Sequence, residues 1–199
     1  MVDFQSRDTR RAPSDDGTDP EADATGNDET ADHSDTEPNE GEETFSYAVV
    51  RVTGEGSVKD DDVGDAVVAG LERGDGIVTT RDLVQPEYDG LQNVAVALTD
   101  REDVDAVVFV GGTGVEPSDR TVDALDPLFD KHLPGFGELF RRYATDAVGS
   151  ATIRTRATAG IIDGVPVFVL PGNADAARMS IDRLVIPEAP ALAEDASSQ

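Results

Sequence analysis

The sequence predicts a three-layer αβα domain on a mostly parallel sheet. Two observations carry this. From Phe45 onward, runs rich in β-branched residues alternate with segments of helical periodicity, and two of those runs, Ala106–Val110 (AVVFV) and Val165–Leu170 (VPVFVL), are apolar throughout. A continuous apolar run of strand length is the pattern of a strand covered on both faces, and alternation with helices places such strands in a parallel sheet. A third observation limits the domain count: the chain has 199 residues, no internal repeat, and a first stretch of different texture. One domain suffices.

The elements follow in order. From Ala12 to Glu43 the apolar side chains are the alanines Ala12, Ala22, Ala24 and Ala31. Their burial cannot offset an ordering cost of about 1–2 kcal/mol per residue, so residues 1–43 are expected to be a disordered acidic tail. The expected domain covers residues 44–190, and residues 191–199 are expected to be a second, C-terminal tail. Phe45–Thr53 (FSYAVVRVT) is the first strand. Asp62–Arg73 places Val63, Ala66, Val67, Gly70 and Leu71 on one helical face, with Gly74 to end it. Ile77–Val84 is the second strand, and Pro86 opens a helix that buries Leu91, Val94, Ala95 and Leu98. After AVVFV, Thr121–Phe129 and Phe136–Asp146 read as helices separated by the breaker Leu133-Pro134-Gly135. Ser150–Thr155 alternates and reads as a strand; VPVFVL is another, and Asp175–Val185 the last helix.

Composition narrows the function. Acidic side chains number 42 against 16 basic, a net charge of −26, and only Lys59 and Lys131 are lysines. Residues 1–43 hold 15 acidic and 3 basic groups and the remainder 27 and 13, so the tail alone does not explain the charge. Carboxylates at this density repel one another in dilute buffer but are screened at molar ionic strength, where the Debye length is roughly 3 Å. Adaptation to a salty cytoplasm is the expectation. The same charge makes nucleic acid and anionic membranes poor partners. The absence of cysteine excludes disulfides and thiolate chemistry. No apolar run approaches a membrane span and no apolar signal core opens the sequence, so a cytoplasmic location is expected.

Ligands of open α/β sheets bind outside the carboxyl ends of the strands. Two loops leave the most apolar strands there: Gly111-Gly112-Thr113-Gly114 and Pro171-Gly172-Asn173. Glycines let a backbone approach an anion closely, with successive N–H groups turned toward phosphate, although glycine after a strand is also ordinary turn chemistry. The loop is not a nucleotide-binding lysine loop, because no Gly-Lys-Ser/Thr follows, and Pro117 occupies the third glycine position of a dinucleotide fingerprint. Asp119 either caps the helix that begins near Thr121 or holds Mg²⁺ against phosphate oxygens; the roles can coexist. His33 and His132 are isolated, which gives no zinc spacing, and no Gly-x-Ser-x-Gly elbow is present. Positive charge at such a site must come from arginine, with Arg156 the best placed.

Taken in series, these residues resemble the MoaB/MogA family of molybdenum-cofactor biosynthesis proteins, and the MoaB branch most closely. The series is GGTG at Gly111–Gly114, Asp119, ALDPLFDKHLPGFGELFR from Ala124 to Arg141, TRATAG from Thr155 to Gly160, and LPGN from Leu170 to Asn173. Asp61-Asp62-Val63-Gly64 is similar to an Asp-Thr-Ser-Gly segment of the family. The resemblance implies adenylyl transfer: molybdopterin is activated by Mg-ATP, giving adenylylated molybdopterin and pyrophosphate. It implies that Gly111, Gly112, Thr113 and Gly114 cradle phosphate and that Asp119 is an essential acid or Mg²⁺ ligand, with Glu87 or Asp89 as second carboxylate. Gly135, Phe136, Gly137 and Glu138 would shape the pterin pocket, and Thr155, Arg156, Pro171, Gly172 and Asn173 its rim. The alternative is a molybdopterin-binding protein of the same fold without catalysis. The resemblance also implies a trimer or hexamer and hand-off to a molybdate-insertion protein; the apolar Leu128-Phe129 and Phe136–Phe140 region is the expected interface.

Overall fold

A computed structural model describes residues 44–54 and 58–198; the acidic segment 1–43 lies outside the described residues. Six strands form one sheet: β1 (Ser46–Val52), β2 (Ile77–Val84), β3 (Ala106–Val110), β4 (Lys131–His132), β5 (Thr158–Ile162) and β6 (Val165–Leu170). Their order across the sheet is β2-β1-β3-β6-β5-β4. The first four in that order are mutually parallel, while β5 runs against β6 and β4 against β5.

The period of two along β3 explains the layers. Val108 and Val110 face a cluster with Val67 and Leu71 of α1 (Asp62–Arg73), Phe136 and Phe140 of α4 (Pro134–Val148), and Ala177 of α5 (Ala174–Ser180). Val107 and Phe109 face the other cluster, with Leu91, Ala95 and Leu98 of α2 (Tyr88–Thr99) and Ala124 and Leu125 of α3 (Thr121–Leu125). All five residues of β3 are buried, as a strand covered on both faces requires. Among the described residues no helix is long and apolar enough to cross a membrane.

Several boundaries differ from the sequence expectation, each for a local reason. Ser150–Thr155 is not a strand; Gly149–Arg154 is a 3-10 stretch in which the Thr152 hydroxyl donates to Gly149 O at 2.8 Å. Its alternation points the wrong way, since Thr152 is buried and Ile153 is 83% exposed. The strands the sequence reading missed are β4, only two residues long, and β5. β5 joins β6 through Asp163-Gly164, both at positive φ (48° and 81°), and Asp-Gly between strands is a strong two-residue hairpin signal. α4 opens at Pro134, because proline lacks only an N–H that the first helical turn would leave unpaired. α3 is a short helix followed by a 3-10 turn, Asp126–Leu128. The last helix does not end at Val185. A π-helical turn at Ile181–Val185 leads into α6 (Ile186–Ser197), which buries Ala189 and rests Leu192 on the core. Residues 191–197 are therefore helix rather than tail.

The proposed interface region is also mostly interior. Phe129, Phe136 and Phe140 are 8%, 9% and 1% exposed within the single chain, leaving Leu139 as the outward apolar side chain of that stretch. Gly160 shows how closely the β4–β5 edge is packed against Phe129: an added Cβ would stand 2.4 Å from a Phe129 ring carbon and 2.9 Å from the Lys131 carbonyl oxygen. Gly160→Ala is expected to cost about 1–3 kcal/mol of unfolding free energy through overpacking, read as a shifted urea midpoint at unchanged slope.

Candidate functional site

Because β3 and β6 are adjacent and parallel, their two following loops meet at one edge. A Cβ on Gly172 would lie 3.3 Å from Gly111 Cα. Gly111 and Gly112 both adopt positive φ, 117° and 65°, a conformation that glycine reaches without steric cost. A Cβ on Gly111 would strike Val52 O at 2.3 Å, and one on Gly112 would strike Thr121 Oγ1 at 2.2 Å. The Gly111 N–H is already spent on Leu170 O at 2.9 Å. Among the described residues, the N–H groups of Gly112, Thr113 and Gly114 donate to no protein acceptor. The amides left without a protein acceptor among the described residues are thus those of residues 112–114 rather than all four.

Asp119 stands directly over this loop. A Cβ on Gly114 would meet Asp119 Oδ2 at 2.3 Å and Oδ1 at 3.5 Å. The carboxylate does not cap α3: Arg120 occupies that position without a side-chain hydrogen bond. Instead Asp119 Oδ2 accepts the Glu116 N–H at 2.9 Å, closing the Glu116–Asp119 turn. The helix-cap reading is therefore corrected, and the half-buried carboxylate is left beside the loop.

Arg156 fastens the assembly. Its Nε donates to Gly114 O (2.9 Å), Nη2 to Asp119 O (2.7 Å) and Nη1 to Asp123 Oδ1 (2.7 Å), while its backbone N–H donates to Thr113 O (2.8 Å). The hydrogen bond from Arg156 holds the Asp123 carboxyl below its ordinary value. Its stabilising effect is thus present above the usual aspartate range and fades as pH falls through the lowered value. Thr155 Oγ1 lies 3.4 Å from Thr113 Oγ1, which ties the same segment to the loop a second time. Asn173 caps α5, its side-chain oxygen accepting from Asp175 and Ala176 N–H at 3.1 Å each.

A cavity of about 540 Å³ opens over Asp119, Asp123 and Arg156, walled by Tyr88, Val115 and Pro117. Other expected site residues are placed elsewhere. Glu87 and Asp89 are exposed and do not line this cavity; Tyr88 between them does. Thr155, Pro171 and Asn173 border a second cavity of about 510 Å³. Gly135 and Phe136 border a third of about 360 Å³, while Gly137 packs on the Ala157 carbonyl and Glu138 is exposed on α4. Sequence reasoning missed two residues beneath the loop. Thr121 is fully buried with its hydroxyl unpartnered under Gly112. Arg51 lies under Gly111 and Gly172.

Fold and site together define a class: a three-layer α/β domain with a glycine loop and the Asp119 carboxylate side by side at the carboxyl edge of its sheet. The sequence matches, over residues 60–191, a family described as "Probable molybdopterin binding domain". Molybdenum cofactor biosynthesis protein B of Bacillus subtilis (strain 168) is 39% identical over 141 residues, spanning 70% of this chain and 83% of that protein. A crystal structure of a molybdenum cofactor biosynthesis protein B superposes with a TM-score of 0.75 at 30% identity, covering 78% of this chain and 98% of the other. The tungsten cofactor synthesizing protein MoaB from Pyrococcus furiosus does so at 0.68 and 34% identity, covering 78% and 99%. The chain belongs to the MoaB/MogA family of molybdenum cofactor biosynthesis proteins.

Proposed function

We propose that this chain is a molybdopterin adenylyltransferase. The observation that carries the reading is the Asp119 carboxylate over a loop whose amides at residues 112–114 have no protein acceptor among the described residues. Three successive N–H groups without a protein acceptor favour a phosphate, and the acid beside them favours a cation bridging that phosphate.

The donor set suits Mg²⁺. Among the described residues no group of three or more His, Cys, Asp or Glu side chains gathers as a protein cage. Magnesium keeps several waters and is commonly held by one or two carboxylates plus substrate phosphates, so one acid over a phosphate loop fits it. Asp119 would hold the ion, which when bound neutralises charge on the phosphate oxygens. In the reaction a phosphate oxygen of molybdopterin attacks the α-phosphorus of ATP, the bond to the β-phosphate bridging oxygen breaks, and pyrophosphate departs. The chain's own part is positional. The amides of Gly112, Thr113 and Gly114 fix one anion. Arg156 keeps the loop, Asp119 and Asp123 in one frame, so the donors need not reorganise as charge spreads in the transition state.

Pyrophosphate release from molybdopterin and Mg-ATP at molar salt tests the reading. Turnover is expected there, because binding depends on short-range donors rather than on steering toward a protein of net charge −26. It should cease with EDTA and return with added Mg²⁺. Release that is unchanged in EDTA would remove the metal from the proposal. A second reading, binding without catalysis, is favoured by one observation: Glu87 and Asp89 do not line the Asp119 cavity. Tight molybdopterin binding with no pyrophosphate release under any condition would select it. The adenylyltransferase reading brings with it a homo-oligomer, for which Leu139, Val148 and the 83%-exposed Ile153 offer outward apolar surface on α4 and the turn after it.

A further inference from the structure

Beneath the glycine loop lies a charge network that the mechanism above does not use. Arg51, in β1, is 15% exposed at its side chain and donates from Nε to Asp61 Oδ1 at 3.1 Å. Its Nη1 donates to two carbonyl oxygens, Val52 O at 2.8 Å and Val110 O at 2.9 Å. Val52 and Val110 are the last residues of the adjacent parallel strands β1 and β3. The same guanidinium lies against both loops: a Cβ on Gly111 would stand 2.6 Å from Nη1, and one on Gly172 would stand 3.4 Å from Nη1 and 3.8 Å from Nη2. Asp61 is in turn held by Arg81, whose Nη2 reaches Asp61 Oδ2 at 3.3 Å and Asp61 O at 3.1 Å. The buried acid is therefore shared by two guanidinium groups.

Carbonyl oxygens are negative poles, and two of them bare at the edge where a phosphate docks would repel it. Arg51 covers both and places a full positive charge within contact distance of Gly111 and Gly172. In a low-dielectric position such a charge is screened far less than an exposed one. Asp61 fixes its direction and is shared with Arg81, whose second partner, Asp65, is exposed and therefore well screened by solvent. Glycine at position 111 lets the loop close there, since a Cβ would stand 2.3 Å from Val52 O and 2.6 Å from Nη1, while one on Gly172 would meet the guanidinium at ordinary contact distance.

We infer that Arg51 is the fixed cation of the anion site, a positioning residue that sets how strongly the Gly111–Gly114 and Pro171–Asn173 loops hold a phosphoryl group. The inference rests on the anion-binding part of the proposed function and not on adenylyl transfer. Inorganic pyrophosphate, titrated calorimetrically into the full-length protein, is the probe, with melting curves to establish that each variant is folded. Arg51→Gln is expected to weaken binding by at least about tenfold, and Arg51→Lys, which keeps the charge but loses the fork, by about threefold. Asp61→Asn keeps an acceptor for Arg51 Nε and removes the opposing charge, so it should bind pyrophosphate as tightly as the parent or tighter. A purely structural role for Arg51 predicts the reverse sign, with Asp61→Asn weakening binding alongside Arg51→Gln. That result, parental affinity in Arg51→Gln, or no pyrophosphate binding by the parent would each overturn the inference. Pyrophosphate binding that follows this pattern in a protein without turnover would leave the inference standing and sink the catalytic reading alone.

Discussion

Asp119→Asn is expected to lower the rate of pyrophosphate release by about 100-fold or more while leaving the melting temperature almost unchanged. The side chain has two separable jobs. One oxygen closes the Glu116–Asp119 turn by accepting the Glu116 N–H at 2.9 Å, and an amide oxygen can do the same. The negative charge over Gly114 is what asparagine lacks, and preorganised charge of this kind typically contributes factors of about 10²–10³ to a chemical step. Asp119→Ala removes the turn bond as well, so it should add a loss of stability, about 1 kcal/mol for one such bond. A Mg²⁺ titration of the asparagine variant completes the measurement. If the carboxylate holds the ion, saturation should move to higher Mg²⁺ and maximal turnover should not recover fully. Parental turnover in Asp119→Asn would remove this residue from the chemistry.

The parts of this arrangement that the sequence made legible are those encoded locally. AVVFV and VPVFVL are buried on both faces, so their texture announced two central strands, and adjacency of parallel neighbours put Gly111 and Gly172 at one edge. Asp119 is five residues past Gly114, close enough in the chain that the Glu116–Asp119 turn brings it back to the loop. Features that depend on strand order were not legible. Arg51 is in β1, Arg81 in β2 and Asp61 just ahead of α1, and they meet because β2 pairs with β1. Nothing in the spacing of those residues reports that order. β5 was legible in principle, through Asp163-Gly164 ahead of an apolar strand, but its small residues Ala159 and Gly160 lack the β-branched texture that marked the others. Glu87 and Asp89 failed as candidates for the Asp119 cavity for a rotational reason. Tyr88 opens α2 and faces the cavity, while Glu87 precedes the helix in extended backbone and Asp89 is turned about 100° further round it, so neither lines the cavity.

The same network makes Asp61→Ala the substitution expected to destabilise the fold most among those considered, by about 3–5 kcal/mol. Asp61 is 7% exposed and its partners Arg51 and Arg81 are 15% and 21% exposed at their side chains, so alanine leaves two guanidinium groups facing each other with little water to screen them. Arg81 carries an additional exposed partner, Asp65, whereas Arg51 would retain only the Val52 and Val110 carbonyls among the described residues. For a domain of this size the loss corresponds to a melting temperature lower by roughly 6–20 °C. High salt distinguishes this pair from the surface. The Arg178–Asp175 pair, 48% and 92% exposed, should contribute a few tenths of a kcal/mol at most and vanish at molar salt. The Asp61 deficit should persist there, because counterions do not enter the space between β1 and α1. Denaturant unfolding of Asp61→Ala and Asp175→Ala at 0.1 M and molar salt makes the comparison. The double variant Asp61→Leu with Arg51→Met should recover part of the stability, since removing both buried charges also removes their desolvation. A deficit in Asp61→Ala no larger than that of Asp175→Ala, or one that salt abolishes, would mean that the three residues are not the internal ion network described.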